Sequence, residues 1–154
     1  MVSYLRRRTM SRDYRELMYR MNCLASDLDA IYHRAALKLG ISDSVLFILY
    51  LLDEHDGKCP LNDIRKAIGI SKQTLNSAIR KLECEEIIYL EQIGGRAKNV
   101  CLTEKGMNYA KNTARRLYDA EVSVFANWSE EDTKQYLSFM ERYNRDFREQ
   151  IEKM

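Results

Sequence analysis

Glycine and histidine are scarce in this chain, and its cysteines follow no pattern. Of 154 residues, six are glycine, two are histidine and four are cysteine. Cys23, Cys59, Cys84 and Cys101 are scattered without a CxxC pair, which argues against a zinc ribbon or a disulfide framework and leaves reduced, structural thiols. The longest purely apolar run, Val45 to Leu52, is far too short to span a membrane, so no membrane partner is expected. The opening MVSYLRRRTM has positive charge but no apolar segment behind it. No secretory signal is read there, and the cytoplasm is the expected location. Motifs of the HExxH, GxSxG, P-loop and dinucleotide-glycine kinds are missing. His33 and His55 lie in different helical segments, and His33, beside Tyr32, reads as a surface or interface residue. Neither an enzyme nor a bound metal or cofactor is therefore expected.

What is present is charge, unevenly placed. The net charge is only +2. Residues 1 to 20 nevertheless carry six arginines against Asp13 and Glu16, a local +4, and residues 21 to 57 carry Arg34 and Lys38 against six acids, a local −4. Residues 58 to 82 hold Lys58, Arg65, Lys66, Lys72, Arg80 and Lys81 against Asp63 alone, a local +5. A basic island of this kind bears on nucleic-acid binding more than the global sum does.

Periodicity predicts a mainly helical domain. From Tyr14, Leu17, Met18, Met21, Leu24, Leu28, Ile31, Tyr32, Ala35 and Leu39 recur at steps of three and four, with Asp13 in the first turn and Gly40 at the end. Such a helix, roughly 27 residues, is about twice the average length, and it needs something besides its own core to pack against. Ser42 or Ser44 caps a second helix whose VLFILYLL run is apolar on every face, the mark of a buried central helix, closed by Gly57. Pro60 opens a short third helix with Leu61, Ile64, Ala67 and Ile68 inward, stopped by Gly69.

The stretch GISKQTLNSAIRKLECEEII follows. Ser71 is placed as an N-cap, and Leu75, Ala78, Ile79 and Leu82 share the inward face. The outward face is then Gln73, Ser77 and Arg80, flanked by Lys72, Thr74, Asn76 and Lys81. Two short helices joined by Gly-Ile-Ser, the second presenting amides, hydroxyls and cations, make a helix-turn-helix pattern. Ile87 to Gln92 and Asn99 to Leu102 read as a two-stranded hairpin in which Gly94-Gly95 supplies the positive φ angles of a tight turn. A hairpin directly behind a helix-turn-helix is a wing, with Arg96 and Lys98 at its tip. Thr103 caps a helix running to about Asn127, striped by Met107, Ala110, Ala114, Leu117, Tyr118, Val122 and Phe125. Ser129 to Asp132 opens a last helix striped by Tyr136, Leu137, Met140, Tyr143, Phe147 and Ile151.

The order of these elements resembles the MarR family of winged helix-turn-helix transcription regulators. The resemblance rests on Leu61-x-x-Ile64 with Ala67-x-Gly69-Ile70-Ser71, on Leu82-Glu83 with Ile87-Ile88, and above all on RAKNVCLTEKG at residues 96 to 106. It implies an N-terminal arm and dimerisation helix over 1–40, a winged helix-turn-helix DNA-binding domain over 41–103 and C-terminal dimerisation helices over 104–154. It also implies a homodimer that sets two recognition helices in successive major grooves of a pseudo-palindromic double-stranded DNA operator, in this family most often as a repressor. Family wings carry Asp-x-Arg at the tip. Gly94-Gly95-Arg96 stands here, so the arginine is present and the aspartate is not.

The DNA-binding candidates are accordingly Ser71, Lys72, Gln73, Thr74, Asn76, Ser77, Arg80, Lys81, Arg96 and Lys98. Gln73 suits adenine, and Arg80 suits guanine or a phosphate; a good bidentate pair is worth about 1 to 3 kcal/mol of discrimination. Arg6, Arg7 and Arg8 read equally well as a phosphate-touching arm or as a solvated one. The resemblance further implies a small aromatic effector between the dimer helices and the winged helix, for which Tyr32, Phe47, Tyr50 and Tyr118 are candidates, with plain core as the competing assignment. A thiol switch is the other theme of the family. Cys23 lies too far inside its helix to match, and Cys59, expected at a helix start where the dipole lowers a thiol pKa, is the alternative. Two readings compete with DNA regulation: a winged-helix protein-interaction module without DNA binding, favoured by the missing aspartate and low net charge, and direct metal sensing, which the histidine and cysteine spacing does not suggest.

Overall fold

A computed structural model describes the backbone of residues 2–154 and the side chains from Tyr14 onward. Helix α1 spans Val2–Leu39, α2 Asp43–Glu54, strand β1 Lys58–Pro60, α3 Leu61–Ile68, α4 Lys72–Cys84, β2 Ile88–Gly94, β3 Ala97–Leu102, α5 Glu104–Asn112, α6 Ala114–Phe125 and α7 Glu130–Glu152. The mainly helical fold with a wing is as the sequence predicts. The wing sheet, however, has three strands rather than two, in the antiparallel order β1-β3-β2. β1 is only Lys-Cys-Pro, too short to show the alternation by which a strand is read, and it exists because Cys59 pairs with Val100 and turns its side chain into the core.

α2 is the centre of the core. Val45, Leu46, Ile48, Leu49 and Leu52 are buried. They meet Ile64 of α3, Leu75, Ile79 and Leu82 of α4, Val100 of β3, and Ala110, Ala114 and Leu117 beyond the wing. Each such aliphatic side chain contributes about 1.5–3 kcal/mol by leaving water, so truncating Leu49 to alanine costs about 2–5 kcal/mol. α2 is not buried all round: Phe47, Tyr50 and Leu51 stay half-exposed on one side. It ends at Glu54, with Gly57 (φ +86°) in the turn beyond rather than at the cap. The core runs from Ala36 to Leu117 and so crosses the expected boundaries at 40 and 103.

Three helical expectations are corrected. α1 starts at Val2, so Asp13 lies well inside it rather than in its first turn. The arginines Arg6 to Arg8 fall outside the described side chains. Ala67, expected inward on α3, is exposed. The helix after Thr103 does not run unbroken to Asn127 but stops at Thr113 (φ −125°, ψ −83°). There Thr113 turns its hydroxyl back onto the Tyr109 carbonyl at 2.7 Å, a local bond that competes with the helix ladder and bends it.

The apolar stripes of the outer helices are present but uncovered. Among the described residues of α1 only Ala36 is buried, and α7 buries none. Tyr14, Leu17, Met18, Leu28 and Ile31 of α1, and Tyr136, Leu137, Met140, Tyr143, Phe147 and Ile151 of α7, are all exposed. Among the described residues no single helix is long and apolar enough to cross a membrane.

Candidate nucleic-acid interface and aromatic cluster

α3 ends in a left-handed Gly69 (φ +63°), which a side chain would strain. The chain then turns through Ile70 into Ser71, whose hydroxyl accepts from the Thr74 amide at 3.1 Å and caps α4. Burial of Leu75, Ala78, Ile79 and Leu82 fixes the rotation of α4 about its axis. Gln73, Thr74, Ser77, Arg80 and Lys81 therefore face outward, with Ser71 and Lys72 exposed at the N-terminal end. Asn76 alone of these candidates is half-buried, at the edge of the face. Thr74 is partly engaged, since its hydroxyl lies 2.8 Å from that of Ser71. Arg65 and Lys66 of α3 are exposed as well, so most of the basic island is on the surface. Lys58 is exposed too and is paired with Glu91.

The wing places Arg96 and Lys98 separately from α4. Gly94 (φ +135°) pairs with Ala97, so the two loop residues are Gly95 (φ +53°) and Arg96 rather than the glycine pair. Ile93 is the extra residue of a bulge between Gln92 and Gly94, and it is exposed. Across the turn the Gln92 side-chain amide donates to the Gly95 carbonyl at 2.5 Å. Arg96 and Lys98 are both exposed.

Behind the wing, Thr103 accepts from the Gly106 amide at 2.9 Å and starts α5. Gly106 packs so closely on the residue just before β2 that an added Cβ would lie 1.9 Å from the Ile87 carbonyl oxygen. The LTEKG phrase is thus a capped helix start pressed against the root of the wing.

The four aromatic candidates are brought together in two pairs. The rings of Tyr32 and Phe47 lie 5.6 Å apart, and those of Tyr50 and Tyr118 lie 6.4 Å apart. What joins the pairs is Glu121 of α6, a residue that sequence reasoning missed. Tyr32 donates to its Oε1 and Tyr50 to its Oε2, each at 2.6 Å. Burial, and then the Glu121 carboxylate, push the Tyr32 phenol up to about 12 and raise that of Tyr50 as well. Glu121 was visible as a lone charge on the stripe of Ala114, Leu117 and Phe125. Arg115 extends the cluster, pairing with Asp53 at 2.8 Å and lying 5.2 Å over the Tyr118 ring. Beside it, Phe47, Tyr50, Leu51, Glu54, Ala67 and Ile68 line a hollow of about 190 Å³ between α2 and α3.

The remaining candidates are surface or core groups. His33 shares Asp43 at 3.0 Å and is exposed, tying α1 to the start of α2. Cys59 is not at a helix start. It lies in β1, 2% exposed, and burial followed by the charge of Asp63 raises its thiol, which is the reverse of an activated cysteine. Cys23 and Cys84 are exposed.

A capped recognition helix behind a left-handed turn, with a β hairpin following it, defines a winged helix-turn-helix protein. A model of the MarR family matches residues 39–96, from the end of α1 to the wing tip. The fold is similar over most of its length to NMB1585, a MarR family regulator from Neisseria meningitidis, with a TM-score of 0.78 at 16% identity over 87% of this chain and 95% of that one. It is also similar to the S. aureus MepR in a DNA complex (TM-score 0.64, 21% identity, 84% and 96% covered) and to NadR in complex with 4-hydroxyphenylacetate (0.66, 14%, 80% and 88%). No curated protein matches the sequence. Residues 39–96 are thus similar to the MarR family of winged-helix regulators, and the fold around them is shared with solved structures of that family.

Proposed function

We propose that the protein is a homodimeric repressor that binds a pseudo-palindromic DNA operator and is released from it by a small aromatic molecule. The observation that carries DNA binding is the outer face of α4, where Gln73, Ser77, Arg80 and Lys81 project from a helix whose rotation is fixed by its buried side. Amides and guanidinium groups on such a helix read base edges in the major groove, and lysines and hydroxyls hold phosphates. Arg96 at the wing tip suits the adjacent minor groove. The solved complex of MepR with DNA supports this use of the fold.

Dimerisation is supported by the uncovered apolar residues of α1 and α7. Tyr14, Met18, Met21, Tyr136, Met140 and Phe147 line an open groove between the two helices, a surface that a second copy covers by symmetry. Release by an aromatic effector is supported by the Tyr32, Phe47, Tyr50 and Tyr118 cluster. The hollow beside it is of the size that takes a single benzene ring. NadR with its bound 4-hydroxyphenylacetate supplies the solved parallel.

Titration of a mixed-sequence duplex at several salt concentrations tests the electrostatic part. Affinity falls steeply with salt, and Lys72→Ala and Lys81→Ala each flatten the slope of log K against log salt by about 1. Binding that ignores salt and both lysines would contradict the placement of DNA on α4.

A further inference from the structure

The wing is a three-stranded sheet only at its root. β1 ends at Pro60, which faces Asn99 of β3, and beyond that rung the hairpin continues as two strands alone. Only the pairs Gln92 with Lys98 and Gly94 with Ala97 remain between it and the tip, and a bulge separates them. Two-stranded ribbons are marginal by themselves, and a bulge with two positive-φ glycines adds further freedom. The direction of Arg96 is therefore set where the third strand stops.

At that rung a single carboxylate ties all three strands together. Glu91 of β2 is paired with Lys58 of β1 at 2.5 Å and accepts from the Asn99 side-chain amide of β3 at 3.0 Å. Among the described residues Asn99 is one of two buried polar residues, 8% exposed, and its amide is directed to Glu91. We propose that Glu91 is the positioning residue of the wing: held by Lys58 and Asn99, it fixes the angle at which the two-stranded overhang presents Arg96 to DNA. This rests on the DNA-binding reading above. The charges are consistent with it, since Lys58 and then Asn99 hold the Glu91 carboxyl below the usual carboxylate range, while Glu91 holds the Lys58 ammonium above its own.

The sign of the effect separates positioning from simple electrostatics. Removing an anion near DNA and freeing a lysine would by themselves tighten binding. Loss of a positioning residue weakens it, and only through Arg96. The experiment is a double-mutant cycle on duplex affinity at fixed salt, using Glu91→Gln and Arg96→Ala, with the charge swap Lys58→Glu/Glu91→Lys as rescue. Glu91→Gln weakens binding about five- to tenfold when Arg96 is present and less than about twofold in the Arg96→Ala background, and the swap restores most of the loss. Amide hydrogen exchange of the free protein is followed in parallel. Gly94, Gly95 and Arg96 exchange faster in Glu91→Gln, whereas amides of α2 are unchanged. Tighter binding, effects that add independently of Arg96, or wing-tip exchange unaltered by Glu91→Gln would each overturn the proposal. Should the wild type bind no duplex, the functional reading fails; faster exchange at the tip would then still establish Glu91 as the group that holds the wing, and unaltered exchange would remove that too.

Discussion

Tyr50 donates its hydroxyl to Glu121 at 2.6 Å, across the crossing of α2 and α6, and the opposite oxygen of the same carboxylate is taken by Tyr32 of α1. One side chain thus links the outermost helix to the central helix of the winged domain. Through α2 the same carboxylate is joined to the core on which α4 packs.

The first prediction concerns alkaline pH. Both phenols titrate higher when folded than the ordinary tyrosine value of 10, and Tyr32 reaches about 12. A group whose folded pKa is raised stabilises the fold fully below its unfolded pKa and loses that contribution as pH climbs through the folded one. The clamp is therefore intact below pH 10 and is lost toward pH 12 and above. In Glu121→Gln the two tyrosines titrate earlier, though not back to 10, because burial, the larger cause, remains. Tyrosinate absorbance against pH measures this, and superimposable curves for the two proteins would refute it.

Gly106 makes a second prediction. Its missing Cβ is required by the Ile87 carbonyl, so Gly106→Ala forces α5 off the wing root and costs about 3 kcal/mol, equivalent to a fall of roughly 10 °C in Tm. The exposed neighbour Met107 changed to alanine stays within about 0.5 kcal/mol of wild type. Thermal unfolding followed by circular dichroism compares the two, and equal stability of both variants would show that α5 does not press on the wing root.

Thiol labelling supplies a third. Cys23 and Cys84 are exposed and react with a chromogenic disulfide reagent in the native protein; Cys59 and Cys101 are buried and react only on unfolding. Rapid native labelling of Cys59 would reopen the case for it as a redox switch.

The fourth prediction tests assembly. Leu137 is 58% exposed on α7, in the middle of an uncovered apolar stripe. The wild type sediments as a dimer, and Leu137→Glu, which would bury a charge without a partner, sediments as a folded monomer. A wild type that is monomeric at micromolar concentration would remove the homodimer.

Much of this was legible in residue spacing, and the exceptions have physical causes. α4 could be oriented because its inward residues are strictly periodic and Ser71 and Gly69 mark its ends. The break at Thr113 could not be seen, since the apolar stripe passes through it undisturbed and the bend comes from a hydroxyl turned onto the backbone. β1 escaped because three residues containing a proline carry no strand signal, and with it went the side-chain link of Lys58, Glu91 and Asn99. Glu121 was visible as a charge out of place, but its two partners come from residues 89 and 71 positions away in the chain.

The most direct measurement is enrichment of a random duplex pool on the purified wild-type protein, followed by titration of the winning sequence with Gln73→Ala and Arg80→Ala alongside. DNA recognition by α4 predicts a pseudo-palindrome with half-sites about one helical turn apart, bound as a dimer, and a loss of about 1 to 3 kcal/mol with relaxed sequence preference for each variant. A pool that never enriches, or a site bound equally well by both variants, would contradict it.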